Sequence, residues 1–111
     1  MQEPTFLVLT VLAGPALHGY GIMQAIEELS GGTVTVRPGT LYAALDRLTA
    51  EGLVEIDREE AWGGDRVRRY YRLTGSGMNA LHAEATHRRA VATAAIRRLS
   101  KLAPPPAASP A

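Results

Sequence analysis

Apolar residues near the start of the chain are spaced as in two short helices. Residues 4–13 form a compact apolar segment that opens with proline and stops at Gly14-Pro15, which predicts a short buried helix. From Gly19 apolar side chains return every three or four residues, and the run Ser-Gly-Gly at 30–32 ends the pattern, as in a half-buried helix. The apolar positions of this second stripe are Ile22, Ala25, Ile26 and Leu29.

The next segment predicts a short strand followed by a third helix. Residues 33–36, Thr-Val-Thr-Val, alternate and are β-branched, which favours a strand. Pro38 suits the first position of a helix that Gly52 closes, and its apolar stripe is Leu41, Ala44, Leu45 and Leu48. The residues left facing outward are Thr40, Tyr42, Ala43, Asp46 and Arg47.

Alternation after Gly52 predicts a β-hairpin. One strand starts at Val54, a second covers residues 69–73, and the sequence Trp-Gly-Gly-Asp at 62–65 joins them as a flexible turn. The residues expected on common faces are Val54 with Ile56, and Tyr71 with Leu73. A hairpin that follows three short helices in this order is typical of the wing of a winged helix-turn-helix.

A long final helix is predicted from a cap at Thr74 to about Leu102, although Gly75 and Gly77 weaken its start. It would extend about 40 Å, more than this small domain needs for its own core. A heptad seam, interrupted only by Arg88, runs along it, and two residues of the first helix would supplement the seam; the candidate dimer contacts are Phe6, Leu9, Met78, Leu81, Ala85, Ala92, Ala95, Leu99 and Leu102. Homodimerisation is the favoured interpretation, and packing of the helix on its own domain is the alternative.

The predicted fold is therefore mainly α with a small β-hairpin: a winged helix-turn-helix plus a long C-terminal dimerisation helix. We expect a winged domain over residues 1–74, the dimerisation helix over 75–103, and a disordered tail rich in proline and alanine over 104–111. The chain has 111 residues, 46% of them hydrophobic, which suits one core.

Composition narrows the function classes. No apolar run approaches the roughly 20 residues of a membrane span, and no basic segment typical of a signal peptide opens the chain, so a cytoplasmic location is expected. The absence of cysteine excludes disulfides, thiolate metal sites and cysteine nucleophiles. The three histidines, at 18, 82 and 87, have no metal-ligand spacing. No catalytic constellation and no cofactor motif is present, which argues against an enzyme.

Charge distribution points to a polyanion. Net charge is only +1, but Arg66, Arg68, Arg69 and Arg72 fall within one short segment. Such a run is often a solvated edge strand; here it follows a helix with an exposed polar face, and guanidinium groups bind phosphates and narrow minor grooves well. The candidate DNA-binding residues are Arg37, Thr40, Tyr42, Arg47, Arg66, Arg68 and Arg69. A protein-interaction module without DNA binding remains the alternative, because Asp46 and Asp65 lie near this surface.

Four segments together resemble the PadR family of bacterial transcriptional regulators, a match that covers about Leu7 to Leu81. These segments are His18-Gly19-Tyr20-Gly21-Ile22, Pro38 to Leu45, Leu48 to Leu53, and Arg69 to Thr74 with Gly77. The combination is specific, although each segment alone is not. The short C-terminal part is similar to the compact branch of the family, which has a single dimerisation helix.

The resemblance implies a homodimeric repressor that binds double-stranded DNA at a pseudo-palindromic operator and is released by a small aromatic or drug-like effector. The helix from Pro38 would enter the major groove, with Thr40 and Tyr42 near phosphates or bases, while Arg66 and Arg68 would belong to the wing. The chain departs from the family at one point. Some members hold planar effectors with an aromatic residue of the dimerisation helix, and no aromatic residue follows Tyr71 here.

Overall fold

A computed structural model describes residues 1–102 of the chain. The predicted tail over 104–111 lies outside these residues. The elements, in chain order, are α1 (Glu3–Val11), β1 (Leu17–His18), α2 (Gly19–Leu29), α3 (Pro38–Ala50), β2 (Val54–Ala61), β3 (Val67–Leu73) and α4 (Gly75–Ser100). Within the described range, no helix is long and apolar enough to cross a membrane. The predicted winged helix-turn-helix with a long last helix is confirmed.

The three short helices bury the stripes that the sequence indicates. Pro4 lies in the first turn of α1 and Pro38 in the first turn of α3, where a missing backbone N–H costs no helical hydrogen bond. Helix α2 has the predicted bounds. The fully buried side chains of the common core are Val8, Leu9, Leu12, Ile22, Ile26, Leu41, Leu45, Leu48 and Val54.

The predicted strand over residues 33–36 is wrong, because this segment is a loop. Its polar groups bond locally to the end of α2: the Thr33 hydroxyl donates to the Ser30 carbonyl (2.7 Å), and the Val34 N–H donates to the Ser30 hydroxyl (3.0 Å). Val36 turns into the core and is 7% exposed. Local side-chain bonding and one buried valine thus replace the ladder that the alternation suggested.

The sheet has three antiparallel strands in the order β1-β3-β2, one more than the predicted hairpin. The additional strand β1 has two residues, Leu17 and His18, which pair with Tyr71 and Tyr70. Strands β2 and β3 pair over their length, with an irregularity in register between Ile56 and Arg58. The sheet therefore anchors the hairpin at its base and leaves its tip projecting.

The start of α4 is fixed by a close junction with the end of α3. The Thr74 hydroxyl accepts a hydrogen bond from the Gly77 N–H (3.0 Å) and donates one to the Gly52 carbonyl (2.6 Å), so Thr74 caps the helix as predicted. The Thr74 N–H donates to the Leu53 carbonyl (3.1 Å). Gly77 is buried, and a Cβ atom at this position would collide with the same Leu53 carbonyl oxygen.

The chain divides into two compact units, Met1–Leu81 and His82–Ala111. In the described part of the second unit, α4 continues to Ser100. Arg88 donates to the Glu84 carboxylate one helical turn away (2.9 Å), and this bond lowers the pKa of Glu84. Large apolar side chains of this unit are exposed, namely Val91, Ile96, Leu99 and Leu102.

Candidate nucleic-acid interface

The outward face of α3 carries three of the predicted DNA-binding residues in exposed positions. Arg37 precedes the first turn, and Thr40 lies within it. Tyr42 is 47% exposed, and its ring lies across Gly19 at the start of α2. These side chains form one end of the α3 surface that is free to meet a ligand.

Arg47 has a different position from the other predicted contacts of α3. Its Nη2 donates to the Thr5 hydroxyl of α1 (2.6 Å), and its Nε lies 3.8 Å from the Glu51 carboxylate. Thr5 is only 7% exposed. One end of the Arg47 guanidinium therefore forms a hydrogen bond that joins α3 to α1.

The arginines of β3 and of the turn before it fall into two groups, and the first is neutralised by carboxylates of β2. The Nε of Arg69 lies 3.2 Å from the Glu59 carboxylate. Arg72 is bound by two carboxylates, Glu55 at 3.1 Å and Asp57 at 2.9 Å. Antiparallel pairing places Glu59 opposite Arg69 and Glu55 opposite Arg72, so the register itself brings these charges together.

Arg66 and Arg68 make up the second group, and both lie over the ring of Trp62. The guanidinium carbon of Arg68 is 4.4 Å from the ring centroid and that of Arg66 is 5.8 Å away. Among residues 1–102 neither arginine forms a salt bridge with a carboxylate. Glu60 lies opposite Arg68 in the strand register, but its carboxylate binds Arg58. Arg66 and Arg68 are thus the hairpin arginines that no carboxylate binds directly among the described residues.

A groove of about 880 Å³ separates α3 from the hairpin. Its lining combines aromatic rings with positive charge and includes Tyr20, Tyr42, Asp46, Trp62, Arg68 and Arg69. Guanidinium groups bind DNA phosphates, and aromatic rings can hold such groups in place through their faces. The groove therefore joins the exposed end of α3 to the charged hairpin tip.

His18 closes the inner end of this groove and caps α2. Its Nδ1 accepts a hydrogen bond from the Gly21 N–H (3.1 Å), so the neutral ring carries its proton on the other nitrogen. The ring stands edge-on to Tyr70, with centroids 5.2 Å apart. Burial lowers the pKa of His18 below its ordinary value, the charge of Arg68 lowers it further, and Glu60 opposes these effects.

Sequence reasoning missed Trp62, Tyr20 and His18 as parts of this surface. The sequence pattern places Trp62 only in a turn, and it gives His18 and Tyr20 no role beyond their place in the segment that resembles the PadR family. A capping signal was present, because a polar residue directly preceded the apolar stripe of α2. The contacts of Trp62 with arginines four and six residues away depend on the turn geometry, which the sequence does not specify.

The predicted dimer contacts divide by exposure. Leu9 is 0% exposed in the core of its own chain, so it has no surface to offer a partner. Leu81 is partly buried against the same core, and Phe6 is half-buried. The exposed members of the set are Met78, Ala85, Ala92, Ala95, Leu99 and Leu102.

No group of three or more histidine, aspartate and glutamate side chains that could hold a metal ion occurs within residues 1–102. Burial raises the pKa of Tyr71 at the base of the groove above its ordinary value. The groove thus presents aromatic rings and guanidinium groups, together with the carboxylate of Asp46.

Comparison with known proteins identifies a family. The model of the transcriptional regulator PadR-like family matches residues 8–83. Transcriptional regulator Rv3488 of Mycobacterium tuberculosis is 40% identical over 74 residues, which cover 67% of this chain and 64% of that protein. Transcriptional regulator YqjI of Escherichia coli is 38% identical over 58 residues, which cover 52% of this chain and 28% of YqjI.

A solved structure extends the comparison to the fold. The crystal structure of Bacillus subtilis PadR in complex with operator DNA superposes with a TM-score of 0.68 at 27% identity, over 76% of this chain and 47% of that one. The chain thus spans less than two thirds of the length of each of these three relatives.

Proposed function

Because the chain belongs to the PadR-like family of transcriptional regulators, we propose that it is a DNA-binding repressor that recognises an operator as a homodimer. Its family and its named relatives are regulators, not enzymes. The relative from Bacillus subtilis forms a complex with operator DNA. A repressor of this kind acts on the bacterial chromosome, in keeping with the expected cytoplasmic location.

One observation carries the DNA-binding proposal: Arg68, which no carboxylate binds directly, lines a groove together with Tyr42 of α3, and Arg66 lies beside it over the same Trp62 ring. In the proposed complex α3 enters the major groove and presents Thr40 and Tyr42, while the hairpin meets the backbone or the minor groove. Arg37 contributes charge at the start of α3. Arg47 and Arg69 remain predicted contacts, each already bound to a neighbouring side chain.

The homodimer follows from the need to space two copies of α3. A single winged domain makes few contacts with DNA. To bind a two-fold operator, the α3 helices of two copies must reach successive major grooves. The exposed apolar residues of α4 offer a surface for a second copy, with Leu99 and Leu102 at 59% and 67% exposure. Alanines 85, 92 and 95 would let two helices approach closely.

Release of the DNA by a small aromatic effector is the most specific part of the proposal, and the family resemblance supports it. Since α4 carries no aromatic residue among those described, a planar effector would have to stack on rings from other elements. Titration of aromatic compounds into a preformed operator complex, followed by mobility shift, tests this part.

The decisive test of DNA binding is a salt titration on the promoter region immediately upstream of the protein's own gene. Arg68→Ala should reduce the slope of log K against log salt by about 0.9, because one phosphate contact is lost. Arg72→Ala is the matched control from the same strand. It removes a guanidinium that two carboxylates already neutralise, so it should change the slope much less.

A protein-interaction module is the second candidate, favoured by the carboxylate of Asp46 in the groove. Asp46 would repel a phosphate and attract a basic peptide. Absence of binding to any duplex at low salt, or binding that ignores salt, would support this candidate against the repressor.

A further inference from the structure

We propose that Trp62 is a positioning residue for DNA recognition, whose indole ring holds the guanidinium groups of Arg66 and Arg68 in the orientation in which they meet the nucleic acid. The inference rests on the proposed DNA binding. It assigns a function to an aromatic residue of the hairpin turn, outside α3.

The backbone of the turn fixes Trp62 relative to the arginines. The Trp62 N–H donates to the Arg66 carbonyl (2.9 Å), and the Arg66 N–H donates to the Gly63 carbonyl (3.3 Å). Between them Gly63 and Gly64 have φ angles of 67° and 64°, a conformation that favours glycine. A closed turn of this kind keeps the indole beside the side chains that follow it.

The exposed position of Trp62 also calls for an explanation. The side chain is 48% exposed at the tip of a hairpin, away from the common core. Because the indole is not part of the core, core packing does not account for a tryptophan at this position. Its ring contacts are with arginines, at 4.4 Å for Arg68 and 5.8 Å for Arg66.

The two ways of holding an arginine in this hairpin have different electrostatic consequences. Carboxylates hold Arg69 and Arg72, and each carboxylate cancels positive charge and competes with a phosphate for the same N–H groups. An aromatic face holds a guanidinium through its quadrupole and leaves the net charge and the edge N–H groups available. Trp62 can therefore orient Arg66 and Arg68 without neutralising them.

This distinction predicts how Trp62 affects binding. Without the indole both arginines can still reach phosphate, but they must be ordered from a wider range of rotamers when DNA binds. Affinity should fall while the number of phosphates contacted stays the same. The salt slope of a Trp62 variant should therefore equal that of the wild type, unlike the slope of an arginine variant.

The experiment is a mutational cycle measured on operator DNA. Trp62→Ala and Trp62→Phe are made in the wild-type chain and in the Arg66→Ala/Arg68→Ala background, and circular dichroism verifies the fold of each variant. In the wild-type chain, Trp62→Ala should weaken operator binding about three- to ten-fold with an unchanged salt slope. Trp62→Phe keeps an aromatic face and should recover most of this loss. In the background without the arginines, Trp62→Ala should change affinity less than about two-fold.

Three results would overturn the inference. Trp62→Ala could bind like the wild type, it could lower the salt slope, or it could cost as much in the double-alanine background, which would make Trp62 itself the DNA contact. Failure of the proposed function looks different, because the wild-type chain would then bind no duplex and none of these comparisons would arise.

Discussion

Gly77 and Gly75 lie two residues apart in the first turn of α4, and alanine should have opposite effects at the two positions. A Cβ at Gly77 would collide with the carbonyl oxygen of Leu53 and would approach the carbonyl carbon to 3.0 Å. A Cβ at Gly75 would meet no atom within 4 Å. Alanine at Gly75 therefore tests helix propensity alone, whereas alanine at Gly77 also tests the close packing against Leu53.

The magnitudes follow from these surroundings. In a helix, alanine is more favourable than glycine by up to about 1 kcal/mol, and Gly75→Ala should gain a part of this because it lies at the helix end. At Gly77 the gain is outweighed, because the obstacle is backbone and cannot rotate away. Overpacking of this kind costs about 1–3 kcal/mol. Movement of α4 would also strain the hydrogen bond from Thr74 to Leu53.

Urea unfolding of both variants and the wild type, followed by circular dichroism, measures the difference. We expect the free energy of unfolding to fall by about 1–3 kcal/mol for Gly77→Ala and to stay equal or rise for Gly75→Ala. If Gly77→Ala were as stable as the wild type or more stable, the close approach of α4 to Leu53 would be refuted. An equal loss at both positions would instead assign the effect to the turn as a whole.

Three further predictions concern pH, assembly and recognition. Because burial lowers the pKa of His18 below 6.5, the unfolded chain takes up a proton that the folded chain resists, so the free energy of unfolding should fall as pH drops from 7 through the ordinary histidine range. His18→Asn, which can still cap α2, should remove this component in urea titrations at several pH values. Leu99→Glu should give a folded monomer with weak operator binding, and a variant that light scattering shows to be a dimer of native affinity would contradict the proposed seam. Tyr42→Phe should cost about 1–1.5 kcal/mol of operator affinity if the hydroxyl bonds to DNA, while an unchanged mobility shift would give Tyr42 a packing role.

The elements that the sequence predicts well are those that local chemistry determines. Helix α2 has its expected bounds because its apolar stripe and the Ser-Gly-Gly stop that follows it are local features of the sequence. Thr74 caps α4 for the same reason. Strand β1 could not be predicted, since two residues show no periodicity and pair only because β3 lies beside them.

The candidate site was predictable in composition but not in electrostatics. The arginine-rich segment is visible in the sequence, but pairing with β2 decides which arginines are bound by carboxylates. The sequence gives no reason to expect different partners for Arg68 and Arg69. The register places a glutamate opposite each of them, but only Glu59 binds its opposite arginine, Arg69. Glu60 binds Arg58, and Arg68 lies over the Trp62 ring.

The division of the hairpin arginines has a consequence for how such a repressor would find its site on a chromosome. Binding to random DNA depends almost wholly on the number of phosphates neutralised, and a genome offers about 10⁶ or more competing sites. Carboxylates bind three of the five hairpin arginines, Arg58, Arg69 and Arg72, so the hairpin attracts random DNA less strongly than its arginine content suggests. Fewer molecules are then held on irrelevant DNA, so a small number of copies can keep one operator occupied.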